Sequence, residues 1–277
     1  MSAPTLSRTH VVVGGFPPGS PAGHDMDYAR LRLLQLLHEH PHVLATVAND
    51  FTDITKWLPG CQFLMTYVAG PHPSDEQNQA MRQWLADGGR WLALHGTSGG
   101  KAVRVTAPRS GRKMVKTSHH ATLGSFFLNH PPLCKFQVYV TNQAHDVTRG
   151  LPAAFEVTDE LYLIELQEPE SCQVLLTTEL DTDPSPPGFG FVYDQDTSVL
   201  PDGKTRVLGY TRALGKGGVT YIALGHCHSR PNHRQPVVDA GAQATGNVPM
   251  LFRGVWETEP FIQLLRNGIA WGISGAL

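Results

Sequence analysis

The sequence predicts an α/β fold, in which a parallel sheet flanked by helices is followed by an antiparallel β extension in the C-terminal half. Up to residue 95, short apolar runs alternate with helical patterns, which is typical of parallel strands joined by right-handed crossovers. Beyond residue 134, strand-like runs follow one another without helical patterns between them, which favours antiparallel pairing. A length of 277 residues is ordinary for one large α/β domain, so we expect a single domain spanning residues 1–277.

The first part of the chain predicts four strands and two helices. Residues 26–40 place apolar side chains close to helical spacing, which indicates an amphipathic helix. Ser74 and Gln77 form a capping box at the start of the second helix, and Gly88 and Gly89 end it. The predicted strands are residues 9–16, 42–48, 61–69 and 90–95. The third is apolar along its whole length, as expected for a strand covered on both faces.

The second part predicts mainly strands. Residues 206–226 read as a hairpin with a Gly-Lys-Gly-Gly turn, and residues 258–273 as a closing amphipathic helix. Residues 181–205 and 228–250 are rich in Pro, Gly and Asp, and we expect them to be long surface loops that cover the site. The strand-like runs before the hairpin are residues 135–141, 154–166 and 172–180.

Composition limits the classes of function. Apolar residues at 41% and charged residues at 17% are typical of a folded globular chain rather than a disordered one. With 22 basic and 24 acidic side chains the net charge is −2, which argues against nucleic acid or an anionic membrane and fits a small, nearly neutral substrate. The sequence shows no signal-peptide core and no apolar run of about 18 residues, so we expect a cytoplasmic location. The four cysteines lack metal or disulfide spacing and are expected to be reduced: Cys61, Cys134, Cys172 and Cys227.

The segment RWLALHGTSGG, residues 90–100, contains a G-x-S-x-G pattern around Ser98. In one interpretation Ser98 is the nucleophile of a strand-to-helix elbow, with Asp159 or Glu160 and then His226 as its downstream partners. Five residues in a glycine-rich loop match such a pattern easily by chance. The nucleophile interpretation is therefore kept only as an alternative.

His95 gives the same segment a second interpretation. It ends an apolar strand, so its imidazole should project at the carboxyl edge of the sheet, where parallel sheets bind ligands. Pro108 and Gly111 disfavour the helix that an elbow at Ser98 would need. We therefore expect His95 to be the working residue and the pattern around Ser98 to be accidental.

Acidic and histidine side chains also occur beside the later strands. Asp159 and Glu160 are adjacent in a strand and must face opposite sides, so we expect one to enter a pocket and the other to be solvated. His226 and His228 would share one face of a continuing strand, which would suit a metal ion. Ordinary core or surface positions are the alternative for these histidines, as for His119, His120 and His130.

Several blocks in a fixed order resemble the ThuA-like, or trehalose-utilisation, family. The blocks are RWLALHG (90–96), LGSFFLNHPP (123–132), HDVTRGLPAAFEVTDELY (145–162), GYTRALGKGGVTYIALGH (209–226) and RNGIAWGI (266–273). The resemblance implies a flavodoxin-like sheet related to the class I glutamine amidotransferase domains. In those domains a cysteine occupies the elbow, whereas this chain has HGTSGG, so a glutaminase is not expected.

The resemblance also implies site residues. The family's polar cluster falls on the catalytic candidates His95, His130, Glu160 and His226. The same four side chains would suit a divalent metal such as zinc or manganese. The implied substrate-binding residues are His24, Asp25, Tyr210 and Arg212. Tyr210 replaces the family's usual tryptophan and would offer a stacking face to a sugar ring.

Members of the resembled family are associated with carbohydrate catabolism. We expect a protein that acts on a keto-disaccharide or related sugar by isomerase or hydrolase/lyase chemistry, with Glu160 and a histidine as acid and base. Abstraction of a proton next to the ketone would form an enediolate. Positive charge from Arg212 or from a metal would stabilise this intermediate. The alternatives are a non-catalytic sugar-binding or regulatory domain and a serine hydrolase using Ser98. No nucleotide cofactor, nucleic acid or membrane partner is expected, and a homodimer is the usual state of a soluble enzyme.

Overall fold

A computed structural model of the chain describes residues 6–15, 23–106, 110–229, 237–238 and 249–274. Its helices are α1 Met26–Leu37, α2 Ile54–Trp57, α3 Asp75–Ala86, α4 His119–Leu123 and α5 Glu259–Ile273. Its first seven strands are β1 Ser7–Gly14, β2 Val43–Ala48, β3 Phe63–Val68, β4 Arg90–Leu94, β5 Lys101–Val105, β6 Gly111–Val115 and β7 Ser125–Asn129. The remaining strands are β8 Leu133–Val140, β9 Ala154–Asp159, β10 Leu163–Leu166, β11 Cys172–Glu179, β12 Thr205–Leu214, β13 Gly217–Ile222 and β14 Val237–Val238. The α/β class is confirmed.

Within the described part of the chain, ten strands form one mixed sheet. The order is β14-β8-β11-β12-β13-β4-β3-β1-β2, and β9 pairs with β8. The strands β13, β4, β3, β1 and β2 run parallel to one another, whereas β11, β12 and β13 pair antiparallel, as do β8 and β9. The predicted parallel half with an antiparallel extension is therefore the observed arrangement.

Burial explains why the central strands hold together. All six residues of β3 are buried, which fits the continuous apolar run of a strand covered on both faces. The capping box at the start of α3 is present, with the Ser74 hydroxyl accepting from the Gln77 amide. The closing helix α5 buries Phe261, Leu264 and Leu265.

No helix in the described ranges is both long and apolar enough to cross a membrane.

Two regions depart from the sequence prediction. The run 154–166, predicted as one strand, is two: β9 joins the main sheet, and β10 pairs with β7 in a separate two-stranded sheet. Residues 101–129, for which no elements were predicted, contain the hairpin β5–β6, the short helix α4 and strand β7. Mixed basic and small residues in this region give no clear apolar period, so its folding depends on tertiary contacts.

Leu264→Ala in α5 should lower the free energy of unfolding by about 2–5 kcal/mol, because its fully buried side chain would leave a cavity. Leu31→Ala in α1 removes the same atoms from a side chain that is 54% exposed, and should change stability by less than about 0.5 kcal/mol. Urea unfolding followed by circular dichroism measures both. Equal losses in the two variants would contradict the packing described for α5.

Candidate functional site

Four side chains from distant parts of the chain converge at one edge of the sheet. One ligand atom from each of His24, His95, Glu160 and His226 lies within 4.8 Å of the others. His24 lies just before α1, His95 follows β4, Glu160 follows β9 and His226 lies beyond β13. The site is buried, with His24 the most exposed of the four at 9%. Three imidazoles and one carboxylate therefore share a small, buried volume.

His95 occupies a strained position at the end of β4. Its φ of 46° lies in the left-handed region, which non-glycine residues rarely adopt and which costs of order 1–3 kcal/mol. Such strain clusters at functional sites, and here it turns the imidazole toward the centre of the site. Nδ1 lies 2.7 Å from the Ala223 carbonyl oxygen, so in the neutral ring Nδ1 donates and Nε2 keeps its lone pair. Nε2 lies 3.0 Å from His24 Nε2 and 3.2 Å from Glu160 Oε2.

His226 is oriented by a chain of hydrogen bonds that ends at a backbone carbonyl. His228 Nε2 lies 3.0 Å from the Pro249 carbonyl oxygen, to which it can only donate, so the neutral His228 accepts at Nδ1. His226 Nε2 lies 3.0 Å from that nitrogen and donates to it, which leaves the lone pair on His226 Nδ1. This atom is 3.1 Å from Glu160 Oε1. Burial lowers the pKa of His226 to about 4 despite the opposing effect of Glu160, so the ring is neutral near pH 7.

Glu160 is the carboxylate at the centre of the cluster. Burial would raise its pKa, but the neighbouring His130, His226 and His95 act in the opposite direction, and the pKa lies well below its usual range. Its oxygens lie 3.8 Å from His24 Nε2 and 3.8 Å from His130 Nδ1. The side chain is therefore an ionised carboxylate surrounded by imidazoles.

Asp159 holds the backbone around this cluster, a role that the sequence did not predict. The expectation that one member of the Asp159-Glu160 pair is solvated is wrong, since Asp159 is 0% exposed. Its carboxylate accepts from the amides of Gly225 at 2.7 Å, His226 at 2.9 Å and Glu160 at 2.9 Å. Burial raises its pKa to about 7, while the neighbouring His95 and these amide donors act in the opposite direction. Both adjacent acids are therefore buried in the protein.

A cavity of about 820 Å³ lies against the cluster, and His24 and Glu160 line it. His130 and Tyr162 also line it, with ring centroids 5.7 Å apart. His130 Nδ1 lies 2.8 Å from the Pro131 carbonyl oxygen, so in the neutral ring it donates there and Nε2 carries the lone pair. Burial raises the pKa of Tyr162 well above its usual value, and Glu160 adds to the effect, so its hydroxyl keeps its proton. The site thus combines a polar centre with an adjoining space for a small molecule.

Comparison with known proteins identifies the family. The family model named ThuA and described as trehalose utilisation matches residues 21–239. The chain belongs to this family. The comparison with curated proteins returned no match.

Solved structures of ThuA-like proteins share the fold over nearly the whole chain. The one from Bacteroides uniformis ATCC 8492 has a TM-score of 0.60 at 15% identity, covering 99% of this chain and 94% of that one. The one from Parabacteroides merdae ATCC 43184 has a TM-score of 0.56 at 16% identity, covering 98% and 91%. A β-galactosidase from Rahnella sp. R3 has a TM-score of 0.50 at 13% identity, with 79% of this chain matching 29% of that one. At these identities the likeness shows the fold alone.

The residues that the family resemblance implied divide into those that lie in or next to the cluster and those that lie away from the cavity. His95, Glu160 and His226 meet in the cluster, and His24, implied as a substrate-binding residue, is its fourth member. His130, implied as a metal ligand, lies beside the four and lines the cavity. Asp25 begins α1 by accepting from the Tyr28 amide and pairs with Arg253 at 2.8 Å. In the sequence, the His24-Asp25 pair after the first strand was the signal for this loop.

Tyr210 and Arg212 do not line the cavity. The Tyr210 hydroxyl lies 2.8 Å from the Leu123 carbonyl oxygen, to which it donates, and the residue is 0% exposed. Its ring therefore has no accessible face for a sugar. Arg212 donates to the Ala121 carbonyl and pairs with Glu168 at 2.7 Å. In this structure both residues attach α4 and its surroundings to β12, and the substrate-binding role expected of them gains no support.

Ser98 is not on a strand-to-helix elbow. It ends a 3₁₀ turn, His95–Ser98, and the next element is β5 rather than a helix. Its hydroxyl is fully buried, 2.7 Å from the Tyr221 hydroxyl and 3.4 Å from the His95 carbonyl oxygen. The histidine of the turn, not the serine, points into the site.

His119 and His120 support the same turn from the other side. His119 Nε2 lies 3.2 Å from the Thr97 carbonyl oxygen, and His120 Nε2 lies 2.9 Å from that of Gly99. Burial lowers the pKa of both rings. Their described contacts are those of neutral core histidines that fix the loop after His95.

Asp159→Asn should destabilise the protein by about 1–3 kcal/mol, because an amide has only one acceptor oxygen and its NH₂ would face a buried backbone N–H. Asp194→Asn, at a side chain 76% exposed, is the matched control and should change stability by less than about 0.5 kcal/mol. Urea unfolding at pH 8 compares the two. A loss for Asp159→Asn no larger than that of the control would show that the three amides do not depend on the carboxylate.

Proposed function

We propose that this chain is a carbohydrate-processing enzyme whose centre is a divalent metal ion held by His24, His95, Glu160 and His226. The observation that carries the proposal is the orientation of the two best-defined rings. His95 donates to Ala223 and His226 donates toward His228, so both direct a lone pair at the Glu160 carboxylate. Lone pairs and a carboxylate repel one another unless a cation or a proton lies between them.

The donor set fits a transition metal. Three imidazole nitrogens and a carboxylate oxygen are ligands that zinc accepts, and manganese also accepts carboxylate oxygen. Metal-binding histidines normally donate their other ring N–H to a carbonyl or carboxylate, as His95 Nδ1 does to Ala223. His226 Nδ1 makes no aligned hydrogen bond although it is buried and 3.1 Å from Glu160. A metal ligand is the role that matches such an atom.

When bound, a divalent cation at this position supplies positive charge that polarises a substrate carbonyl. His130 is the group of this chain best placed to move a proton. Its Nδ1 donates to Pro131, and its Nε2 lone pair is available in the cavity beside the cluster. His130 would take the proton from the carbon next to a ketone and return it to the neighbouring carbon or to a departing glycosyl oxygen. Glu160, assigned from the sequence to acid-base work, serves as a ligand in this arrangement.

A sugar substrate is supported by the family and by the cavity. The family is described as trehalose utilisation. A volume of about 820 Å³ is in the range of small-molecule sites and has room for a disaccharide. Phe127, Tyr162 and Phe189 give its wall flat apolar surfaces of the kind that pack against sugar rings. A keto-disaccharide combines the ring faces with the carbonyl that this chemistry requires.

Elemental analysis of the untagged protein should find about one zinc or manganese ion per chain. The His95→Ala/His226→Ala variant should retain less than about a tenth of that metal, because half of the ligands are gone. His38→Ala/His42→Ala removes two histidines outside the cluster and should keep the full amount. Circular dichroism confirms that each variant is folded. Equal metal in both double variants, or none in any sample after incubation with zinc and manganese, would rule out the proposed centre.

His130→Ala should keep the metal and lower kcat on a keto-disaccharide by about 10²–10⁴-fold, because it removes the proton carrier but no ligand. Steady-state kinetics with 3-keto-trehalose and 3-keto-sucrose, paired with metal analysis, separate the two effects. His145→Ala, at a histidine outside the cavity, is the control and should leave kcat unchanged. A wild-type protein that binds these sugars without turning them over would instead support the sugar-binding alternative.

A further inference from the structure

The hairpin β5–β6 forms one wall of the cavity and presents two arginines to it. The two strands pair only with each other, in a sheet of their own. Side chains alternate between the faces of such a ribbon, and Ala102, Arg104, Arg112 and Met114 fall on the face that lines the cavity. Lys101 and Lys113 alternate with them and belong to the opposite face. The basic charge of the hairpin is therefore divided between a cavity side and an outer side.

Arg104 and Arg112 are directly opposite each other in the antiparallel register. Like charges at such a pair repel and destabilise the ribbon. Both side chains are exposed, in contrast to the buried Arg206, which pairs with Asp196, and the half-buried Arg253, which pairs with Asp25. In the described ranges, neither Arg104 nor Arg112 has a carboxylate oxygen within 4.0 Å. The cavity wall thus carries two adjacent positive charges, and no carboxylate among the described residues forms an ion pair with either of them.

Other contacts hold this pair in place. The Arg112 guanidinium lies over the Phe191 ring, 4.7 Å from its centroid, in a cation–π contact that restrains the side chain. The Arg112 carbonyl accepts from the Val192 amide at 2.8 Å, so the hairpin is attached to the loop that carries Phe189 and Phe191. An arginine that packs on an aromatic ring beside a cavity is well suited to bind phosphate or carboxylate oxygens in pairs.

We infer that the substrate carries an anionic group, a phosphate or a carboxylate, that Arg104 and Arg112 bind while its sugar ring reaches the cluster of His24, His95, Glu160 and His226. This inference rests on the proposed function for the identity of the site. It narrows the proposed keto-disaccharide to one that also carries an acidic group, so the neutral 3-keto-disaccharides that test His130 are the poorer substrates. It differs from the expectation of a nearly neutral substrate, which was drawn from the net charge of −2. Net charge averages the whole surface, whereas the ligand meets only the charges of the cavity wall.

The test compares two double variants that remove the same charge from the same hairpin. Arg104→Gln/Arg112→Gln alters the cavity face, and Lys101→Gln/Lys113→Gln alters the outer face. Isothermal titration uses three probes, glucose 6-phosphate, glucuronate and glucose, on metal-loaded protein. We expect one of the anionic sugars to bind the wild type and the lysine variant at least about 10-fold more tightly than glucose. The arginine variant should lose this preference and keep its affinity for glucose.

The probes distinguish the source of the anion, since preference for glucose 6-phosphate indicates a sugar phosphate and preference for glucuronate a sugar acid. A measurement on the wild type alone supports the same conclusion if the affinity for the preferred probe falls as sodium chloride is raised while that for glucose does not. Equal affinity for all three probes, or equal losses in both double variants, would overturn the inference. Metal analysis of the same samples separates the outcomes: a protein that takes up no metal but still shows a preference that depends on the arginines would refute the metal centre and leave the anion site.

Discussion

One buried carboxylate, that of Asp159, holds together the two parts of the backbone on which the site depends. It accepts from the amides of Glu160, Gly225 and His226, so two members of the cluster follow from a single anchor. β9 and β13 are separated by three strands, and a flat sheet would hold them about 19 Å apart. The hydrogen bonds show that the twist of the sheet and the loop after β13 together bring Gly225 and His226 to the end of β9. Without these hydrogen bonds, no single group would fix the backbone of Glu160 relative to that of His226.

Strand direction explains why the side chains of the cluster arrive at the same edge of the sheet. β13 runs parallel to β4. Four antiparallel pairings link β13 to β9 through β12, β11 and β8, and an even number of reversals leaves β9 running in the same direction as β13. The carboxyl ends of these three strands therefore carry His95, Glu160 and the segment of His226. Backbone carbonyls then fix the tautomers of the rings, as Ala223 does for His95. Topology sets where the side chains are, and these hydrogen bonds set which atoms face inward.

The sequence predicted what depends on local pattern and missed what depends on tertiary contacts. Apolar runs and the Ser74 capping box predicted the strands and helices of the parallel half. The position of His95 at the end of an apolar strand predicted that its side chain lies at the carboxyl edge of the sheet. The inward position of Asp159 could not be predicted, because alternation shows that neighbours point apart but not that both sides are covered. The place of His24 as the fourth member of the cluster and that of Tyr210 in the core likewise depend on how loops and layers pack. Family motifs indicate which positions matter more reliably than what each side chain contacts.

The two ends of the cavity have complementary electrostatic roles. At the cluster, one carboxylate among neutral imidazoles would leave a bound divalent ion with net positive charge, which favours negative charge developing on a carbonyl oxygen. At the hairpin, Arg104 and Arg112 add positive charge that no described carboxylate neutralises. A neutral sugar would leave the repulsion between the arginines uncompensated, whereas an anionic one would relieve it and be oriented by it. The hairpin would then fix the position of the substrate relative to His130, so that binding at one end sets the geometry of proton transfer at the other.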